Sequence, residues 1–194
     1  MAWEVEVKAH VDDPLTLQNR IESLHGISDR VCEEKDDIYY SVPGEKALFR
    51  MRKEVVGPSF EHGKGIVIFT RKHKAIEEGI ELNQEIEFAA ELSQFESAHA
   101  FFLSLGYEEY VRKTKRGYSY EYNCEPELVP LHIELVHVAS LGWFLEMEFV
   151  LPSKEQIPLA RNLLRSVLKD LGVSDTAIED RYYMDLLKHQ GFDT

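Results

Sequence analysis

Alternating apolar and charged positions recur along this chain and predict a fold rich in β-strands. The alternating segments are rich in Val, Ile, Phe and Tyr, and turn signals such as Pro43-Gly44 and Glu61-His62-Gly63 separate them. Strands are predicted over residues 3–11, 30–41, 46–54, 65–74, 81–90, 107–116, 117–123, 130–138 and 143–151. In this interpretation Gly117 marks the turn between two of the strands.

Four other segments carry apolar residues at helical spacing. Helices are predicted over residues 14–25, 92–105, 155–171 and 180–188. Many strands joined by hairpins, with few helices, favour an α+β fold in which an antiparallel barrel or sandwich packs against helices. The chain has no internal repeat and no Gly/Ser-rich linker, so we predict a single domain over residues 1–194.

Charged side chains share one face of several predicted strands, because residues two apart on a strand point to the same side. Each such strand beyond the first carries a single sign: acidic at Glu85 with Glu87 and at Glu146 with Glu148, basic at Arg50 with Arg52 and at Lys113 with Lys115. A half-buried strand with one solvated face produces the same alternation. Segregation of sign by strand instead indicates a chamber with facing acidic and basic walls. Such a chamber suits a triphosphate with divalent ions, because carboxylates bind hard cations while Arg and Lys neutralise phosphoryl oxygens.

The first strand resembles a known signature. Residues Glu4–Lys8 read E-V-E-V-K, similar to the ExExK of the CYTH superfamily, also called triphosphate tunnel metalloenzymes. Its members include class IV adenylyl cyclases, thiamine triphosphatases and inorganic triphosphatases. Further segments resemble family motifs in the family's order and extend the resemblance over nearly the whole chain. They are Glu34–Tyr40, Leu48–Arg52, Phe69–Lys72, Glu85–Glu87, Lys113–Tyr118, Leu141–Glu148 and Arg181–Leu187.

The resemblance implies a fold and a set of site residues. CYTH proteins form a closed antiparallel eight-stranded β-barrel, the triphosphate tunnel, buttressed by helices. By position in the motifs, the implied ligands of Mg²⁺ or Mn²⁺ are Glu4, Glu6, Glu146 and Glu148, with Glu85 and Glu87 as further candidates. The implied triphosphate-binding residues are Lys8, Arg50, Arg52, Lys72, Lys113 and Lys115, and the candidate catalytic residues are Lys8 and Glu134.

Several motifs depart from the family pattern, at the residue inserted in Leu48–Arg52, at His73-Lys74, at Asn83 and at Lys115, and one further departure matters for the site. CYTH proteins often have an Asp on the strand before the L-G-x-F motif, and Val136 occupies that position here. Glu134 lies two residues earlier on the same face and is the carboxylate that this strand offers instead. We expect Glu134, Val136 and Val138 to point into the tunnel.

Composition and charge limit the kinds of partner that we expect this protein to bind. The net charge of −13 disfavours a general nucleic-acid or membrane surface, although it leaves a local site for an anion open. No apolar run approaches the roughly 20 residues that span a bilayer, and the N-terminus lacks a signal-peptide pattern. Two distant cysteines, Cys32 and Cys124, predict neither a disulfide scaffold nor a zinc site. We therefore expect a cytoplasmic protein that binds a nucleoside triphosphate or another linear triphosphate, without nucleic acid or membrane, and a homodimer is compatible with the sequence.

Three functions fit these residues. The segments Glu34–Tyr40 and Arg181–Leu187 resemble class IV adenylyl cyclases most closely, which implies conversion of ATP to cyclic AMP and pyrophosphate. Hydrolysis is the main alternative, because the same residues can hold tripolyphosphate or thiamine triphosphate for attack by water. A triphosphate-binding module without catalysis is the third.

Overall fold

The computed structural model describes residues 3–77 and 80–190. Within these residues the strands are β1 (Trp3–Val11), β2 (Val31–Ser41), β3 (Phe49–Gly57), β4 (Lys64–Glu77), β5 (Ile80–Glu91), β6 (Glu108–Tyr122), β7 (Leu131–Val138) and β8 (Gly142–Leu151). The α-helices are α1 (Pro14–Glu22), α2 (Phe95–Ser104), α3 (Ile157–Asp170) and α4 (Tyr183–Gln190). None of the helices in this described part has the length and apolar character that crossing a bilayer requires.

All eight described strands form one antiparallel sheet in the order β1-β5-β4-β3-β2-β6-β7-β8, and β8 pairs again with β1. The ladder between β1 and β8 runs from Trp3 opposite Leu151 to Val11 opposite Trp143. The ladder between β1 and β5 is only three residue pairs long. The predicted α+β class and the eight antiparallel strands are confirmed. The described residues form a strongly curled sheet with a short seam at β1 and β5, and not a barrel that is sealed along its full length.

Gly117 lies inside a strand, so the prediction of a turn there is wrong. The predicted strands 107–116 and 117–123 form one continuous strand, β6, and Gly117 pairs with Glu33 on one side and Val136 on the other. A Cβ atom at Gly117 would lie 2.2 Å from the carbonyl oxygen of Leu135. Glycine is therefore needed because β7 approaches the β6 backbone closely, a role that sequence alone does not distinguish from a turn.

The apolar core lies outside the curl of the sheet, between its convex face and the helices. Helix α3 packs Leu164, Val167 and Leu168 against outward residues such as Val5 and Met147. A second apolar cluster packs Phe95, Ala98 and Phe102 of α2 against the outer side of β2, β3 and β4. Because the apolar face of each strand is covered from outside, the concave face is left to the charged residues.

Val136 does not face a charged tunnel, so that expectation is corrected. It is fully buried in a small apolar cluster with Val138, Phe144, Tyr183 and Leu186. The last two residues belong to α4, which covers this end of the concave face. Glu134 and Val136 lie on the same face of β7, as predicted. Helix α4 covers Val136, however, whereas Glu134 lines the cavity.

Candidate active site

A cavity of about 670 Å³ occupies the concave side of the sheet. Alternation along each strand turns charged side chains into it, as the sequence pattern predicts. Its lining includes every residue proposed from the sequence: Glu4, Glu6, Lys8, Arg50, Arg52, Lys72, Glu85, Glu87, Lys113, Lys115, Glu134, Glu146 and Glu148. The structure thus brings the whole predicted set together, while the role of each residue stays a prediction.

The basic wall is organised by Asp37, which is only 2% exposed. Arg52 donates to both carboxylate oxygens, with Nε 2.7 Å from Oδ1 and Nη2 3.1 Å from Oδ2. Lys113 Nζ lies 3.0 Å and Arg50 Nη1 3.9 Å from Oδ2. Burial opposes ionisation of Asp37, but Arg52, Lys113 and Arg50 outweigh it and hold the pKa of the carboxyl well below its ordinary value. One buried carboxylate therefore keeps three cationic side chains close together.

Two lysines neutralise a group of three carboxylates. Lys115 Nζ donates to Glu146 Oε2 at 2.6 Å and to Glu134 Oε2 at 3.0 Å. Lys35 Nζ donates to Glu134 Oε1 at 2.6 Å and to Glu33 Oε1 at 3.2 Å. Burial opposes ionisation of Glu134, yet Lys115 and Lys35 keep the pKa of this carboxyl well below its ordinary value. Each lysine thus acts as a resident counterion between two carboxylates.

Tyr183, at the start of α4, adds a further contact to Glu146. Its hydroxyl donates to Glu146 Oε1 at 2.6 Å, and its ring centroid lies 4.8 Å from Lys113 Nζ and 5.6 Å from Lys8 Nζ. Burial and the charge of Glu146 raise the pKa of Tyr183 well above its ordinary value, so the hydroxyl remains a donor. Both oxygens of Glu146 therefore already have partners, Tyr183 on one side and Lys115 on the other.

A third group of carboxylates lies around Lys72 and Glu148. Lys72 Nζ donates to Glu4 Oε2 at 2.9 Å and is ion-paired with Glu85. Burial, followed by the charges of Glu4 and Glu6, raises the pKa of Glu148 to about 8. Such mutual repulsion among oxygen donors is what a bound divalent cation relieves. Glu4, Glu6 and Glu148 therefore fit Mg²⁺ or Mn²⁺ better than Glu146 does.

Glu87 connects to the basic wall through Thr70. Arg50 Nη2 donates to Thr70 Oγ1 at 2.9 Å, and Thr70 donates to Glu87 Oε2 at 2.9 Å. This chain of hydrogen bonds fixes the direction of the Arg50 guanidinium. The contact gives Glu87 a positioning role, beside its predicted role as a further metal ligand.

Sequence reasoning missed several residues of this network, namely Glu33, Lys35, Asp37, His132 and Tyr183. Glu33, His132 and Glu134 place possible metal-ligand atoms within 4.8 Å of one another. Lys35 already lies between the two carboxylates. Burial lowers the pKa of His132, but the hydrogen bonds that its imidazole donates to Glu121 and Glu134 outweigh burial and raise this pKa to about 10. A cationic imidazole beside a resident ammonium makes this a poor metal site. Strand periodicity could have identified three of these residues. Glu33, Lys35 and Asp37 lie two residues apart along β2 and share the face of Tyr39.

The stability of the metal-free protein is expected to fall as the pH rises from 6 to 9. Burial and the charge of Glu134 raise the pKa of Glu33 to about 7, and the pKa values of Glu148 and His132 rise to about 8 and about 10. In this window the folded state binds more protons than the unfolded state at all three groups, so the free energy of unfolding decreases with pH. The depressed pKa values of Asp37 and Glu134 act in the opposite sense only below about pH 4.5, near the ordinary carboxyl pKa.

Thermal melts with a chelator at intervals across this range would measure the effect. Glu148→Gln should show a smaller decrease than the wild type, because it removes one of the three titrating groups. A melting temperature that rises between pH 6 and pH 9 would contradict the expectation.

The fold and the cavity together define a class of protein. An eight-stranded antiparallel sheet that curls around facing acidic and basic side chains is the architecture of the triphosphate tunnel class. The chain belongs to the CYTH domain family, because the model of that family matches residues 2–183. The family resemblance predicted from the motifs is thereby confirmed.

Solved structures agree with this fold. The PH1012 protein of Pyrococcus horikoshii superposes with a TM-score of 0.70 at 23% identity, over 94% of this chain and 98% of that one. A protein from Vibrio parahaemolyticus, provisionally named as an adenylate cyclase, gives 0.69 at 18% identity over 96% and 98% of the two chains. HpAC1 from Hippeastrum, provisionally named as an adenylyl cyclase and described as having a dominant triphosphatase activity, gives 0.64 at 11% identity over 98% and 96%. No curated protein gives a significant match.

Proposed function

We propose that this chain is a metal-dependent enzyme that binds a linear triphosphate within the curl of its sheet, which the seam of β1 and β5 closes into a tunnel. We assign it the conversion of ATP to cyclic AMP and pyrophosphate. The observation that carries the proposal is the facing of a basic wall, gathered around Asp37, by the carboxylates Glu4, Glu6 and Glu148, which lie close enough together to raise the pKa of Glu148 to about 8. A polyanion and divalent ions together match both halves of this cavity.

The residues of the basic wall would bind the phosphates directly. Arg50, Arg52 and Lys113 lie around one carboxylate, so phosphoryl oxygens replace only part of their contacts and the wall stays preorganised. Lys8 is buried and faces the same space, where its ammonium would neutralise a further oxygen. Lys72 would lose its contact with Glu4 when that carboxylate takes a cation.

The carboxylates have two proposed roles, metal binding and orientation of the lysines. Glu4, Glu6 and Glu148 would hold Mg²⁺ or Mn²⁺, with Glu85 and Glu87 farther out and Glu146 as a further ligand. Bound metal would neutralise phosphoryl oxygens and polarise the phosphorus under attack. Glu134 keeps a low pKa beside Lys115 and Lys35, so it would orient these lysines and stabilise charge, and it would act only weakly as a proton acceptor.

Names among the structural neighbours support both the cyclase and a hydrolase. The Vibrio protein is provisionally named as an adenylate cyclase, and the Hippeastrum protein is described as mainly a triphosphatase. In a hydrolase the same basic wall would hold tripolyphosphate or an organic triphosphate, and water would attack the terminal phosphorus. The nucleophile and the phosphorus that it reaches are what distinguish the two reactions.

Product identification tests the proposal. The wild-type protein with Mg²⁺ or Mn²⁺ is incubated separately with ATP, tripolyphosphate and thiamine triphosphate. We expect cyclic AMP and pyrophosphate from ATP, in amounts that rise with metal concentration. Release of orthophosphate without cyclic AMP would assign hydrolysis instead, and no turnover of any substrate would leave a binding module.

Two arginine variants locate the activity. Arg52→Ala is expected to lower the affinity for the triphosphate by about tenfold or more, since hydrogen bonds between charged groups each contribute about 1.5–3 kcal/mol. Arg71→Ala is the matched control, because Arg71 lies on β4 and is exposed on the outer face of the sheet. Equal losses in the two variants would place the activity outside the cavity.

A further inference from the structure

The strand β6 contains a bulge at the edge of the cavity. Along the ladder with β2, Tyr39 lies opposite Val111 but Tyr40 lies opposite Glu109, so Tyr110 is an extra residue without an opposite partner. Simple alternation from the inward Lys113 would place Tyr110 on the outer face. The bulge re-aims it, and Tyr110 lines the cavity instead.

Other apolar and aromatic side chains line the same cavity as Tyr110. We call this group the aromatic end, and it consists of Tyr39, Leu48, Tyr110, Tyr182 and Met184. Leu48 is 37% exposed and the other four are half-buried, so the group presents apolar surface to the cavity. Lys188 Nζ lies 3.2 Å from the centroid of the Tyr110 ring and packs over it from α4.

The aromatic end adjoins the basic wall. Lys113 Nζ lies 5.8 Å from the centroid of the Tyr39 ring and 3.0 Å from Asp37 Oδ2. A ligand that reaches from Lys113 toward Tyr110 therefore passes from the basic wall to a surface of aromatic and apolar side chains, over which Lys188 adds a cation. An inorganic triphosphate carries only anionic oxygens and gains nothing from aromatic rings, whereas a nucleobase stacks on them.

We propose that the aromatic end is a binding subsite for the nucleobase of a nucleoside triphosphate. This proposal rests on the proposed function, because it takes the same cavity as the triphosphate site. The base stacks among Tyr110, Tyr182 and Leu48, and the phosphate nearest the ribose lies beside Lys113. The subsite makes the protein selective for organic triphosphates with a planar aromatic group over tripolyphosphate.

The test compares two ligands on the same variants. Binding of ATP and of tripolyphosphate is measured by titration calorimetry with Mg²⁺ for the wild type, Tyr110→Ala and Tyr182→Ala. The affinity for ATP is expected to fall by about tenfold in each variant, as loss of one stacking partner predicts, while the affinity for tripolyphosphate changes by less than about twofold. Tyr110→Phe keeps the ring and should bind ATP like the wild type.

Phe88→Ala is the matched control, because it removes an aromatic ring that is 63% exposed on the outer face of β5. It should leave both affinities unchanged. Tyr182 lies outside β6, so an effect of Tyr182→Ala cannot be attributed to distortion of the bulge. Thermal melts test whether each variant is folded.

Two of the remaining outcomes overturn the nucleobase subsite, and a third overturns the proposed function. If both tyrosine variants lose affinity for ATP and tripolyphosphate equally, these residues shape the phosphate site and the nucleobase subsite is wrong. If ATP affinity is unchanged in both, the base binds elsewhere and the subsite is also wrong. If the wild type binds neither ligand, the proposed function itself fails, and this inference fails with it.

Discussion

Replacing Lys115 with methionine is expected to lower the free energy of unfolding by about 3–5 kcal/mol, the usual cost of leaving a buried charge without its partner. Lys115 is buried and its ammonium bridges Glu134 and Glu146 at 3.0 and 2.6 Å. Methionine keeps the length of the side chain and removes the charge. Glu134 retains Lys35, but Glu146 is left with only the Tyr183 hydroxyl among the partners described above.

Urea unfolding at pH 7 without metal measures this change. Arg116→Met is the matched control, because Arg116 is the next residue of β6, lies on the outer face and has an exposed ion pair with Glu34. Its cost should stay below about 1 kcal/mol. Adding Glu146→Gln to Lys115→Met should restore part of the stability, since the unpaired charge is then removed. A loss below about 1 kcal/mol for Lys115→Met would show that water reaches these carboxylates.

Replacing Glu148 with glutamine is expected to reduce metal-dependent turnover by at least about 100-fold, equivalent to about 2.7 kcal/mol of the activation barrier. The same change should raise the melting temperature of the metal-free protein above about pH 8, where Glu148 is otherwise ionised. Both effects have one cause, because Glu148 is forced close to Glu4 and Glu6 and its pKa is raised to about 8. Removing the charge relieves repulsion in the folded state and weakens the attraction for a divalent cation.

Glu146→Gln provides the matched comparison, two residues away on the same strand. It removes the charge that Glu146 contributes to its ion pair with Lys115, so it should lower the melting temperature. Metal-dependent activity and thermal melts of the two variants are measured side by side. Wild-type turnover of Glu148→Gln at saturating Mg²⁺ and Mn²⁺ would exclude this residue as a metal ligand.

The site could be predicted from the sequence to the extent that it depends on alternation along a strand. Glu4, Glu6 and Lys8 face the cavity because residues two apart share a side, and this holds whatever the neighbouring strands do. The contacts across strands could not be predicted in this way. Asp37 gathers its arginines and lysine from β3 and β6, and their meeting depends on the register of both ladders.

Local exceptions to the pattern were hidden for a different reason. Gly117 looks like a turn in sequence, but its missing Cβ makes room for β7. Tyr110 looks like an outward residue, but a bulge turns it inward. Val136 shares the face of Glu134 and is nevertheless covered by α4, whose position is set by packing between distant segments. Each exception arises from contacts that a single-strand pattern does not contain.

The place of β1 in the sheet also bears on how the protein folds. The first strand pairs with β5 and with β8, and Lys8 lies opposite Glu146. Contacts between positions so distant in the chain are slow to form, because the entropy of loop closure must be overcome before they contribute. We infer that docking of β1 is a late step, and that this step brings Glu4 and Glu6 up to Glu148. We expect electrostatic repulsion among these carboxylates to slow completion of the sheet, and the refolding rate to rise with the ionic strength and the divalent cations of the solution.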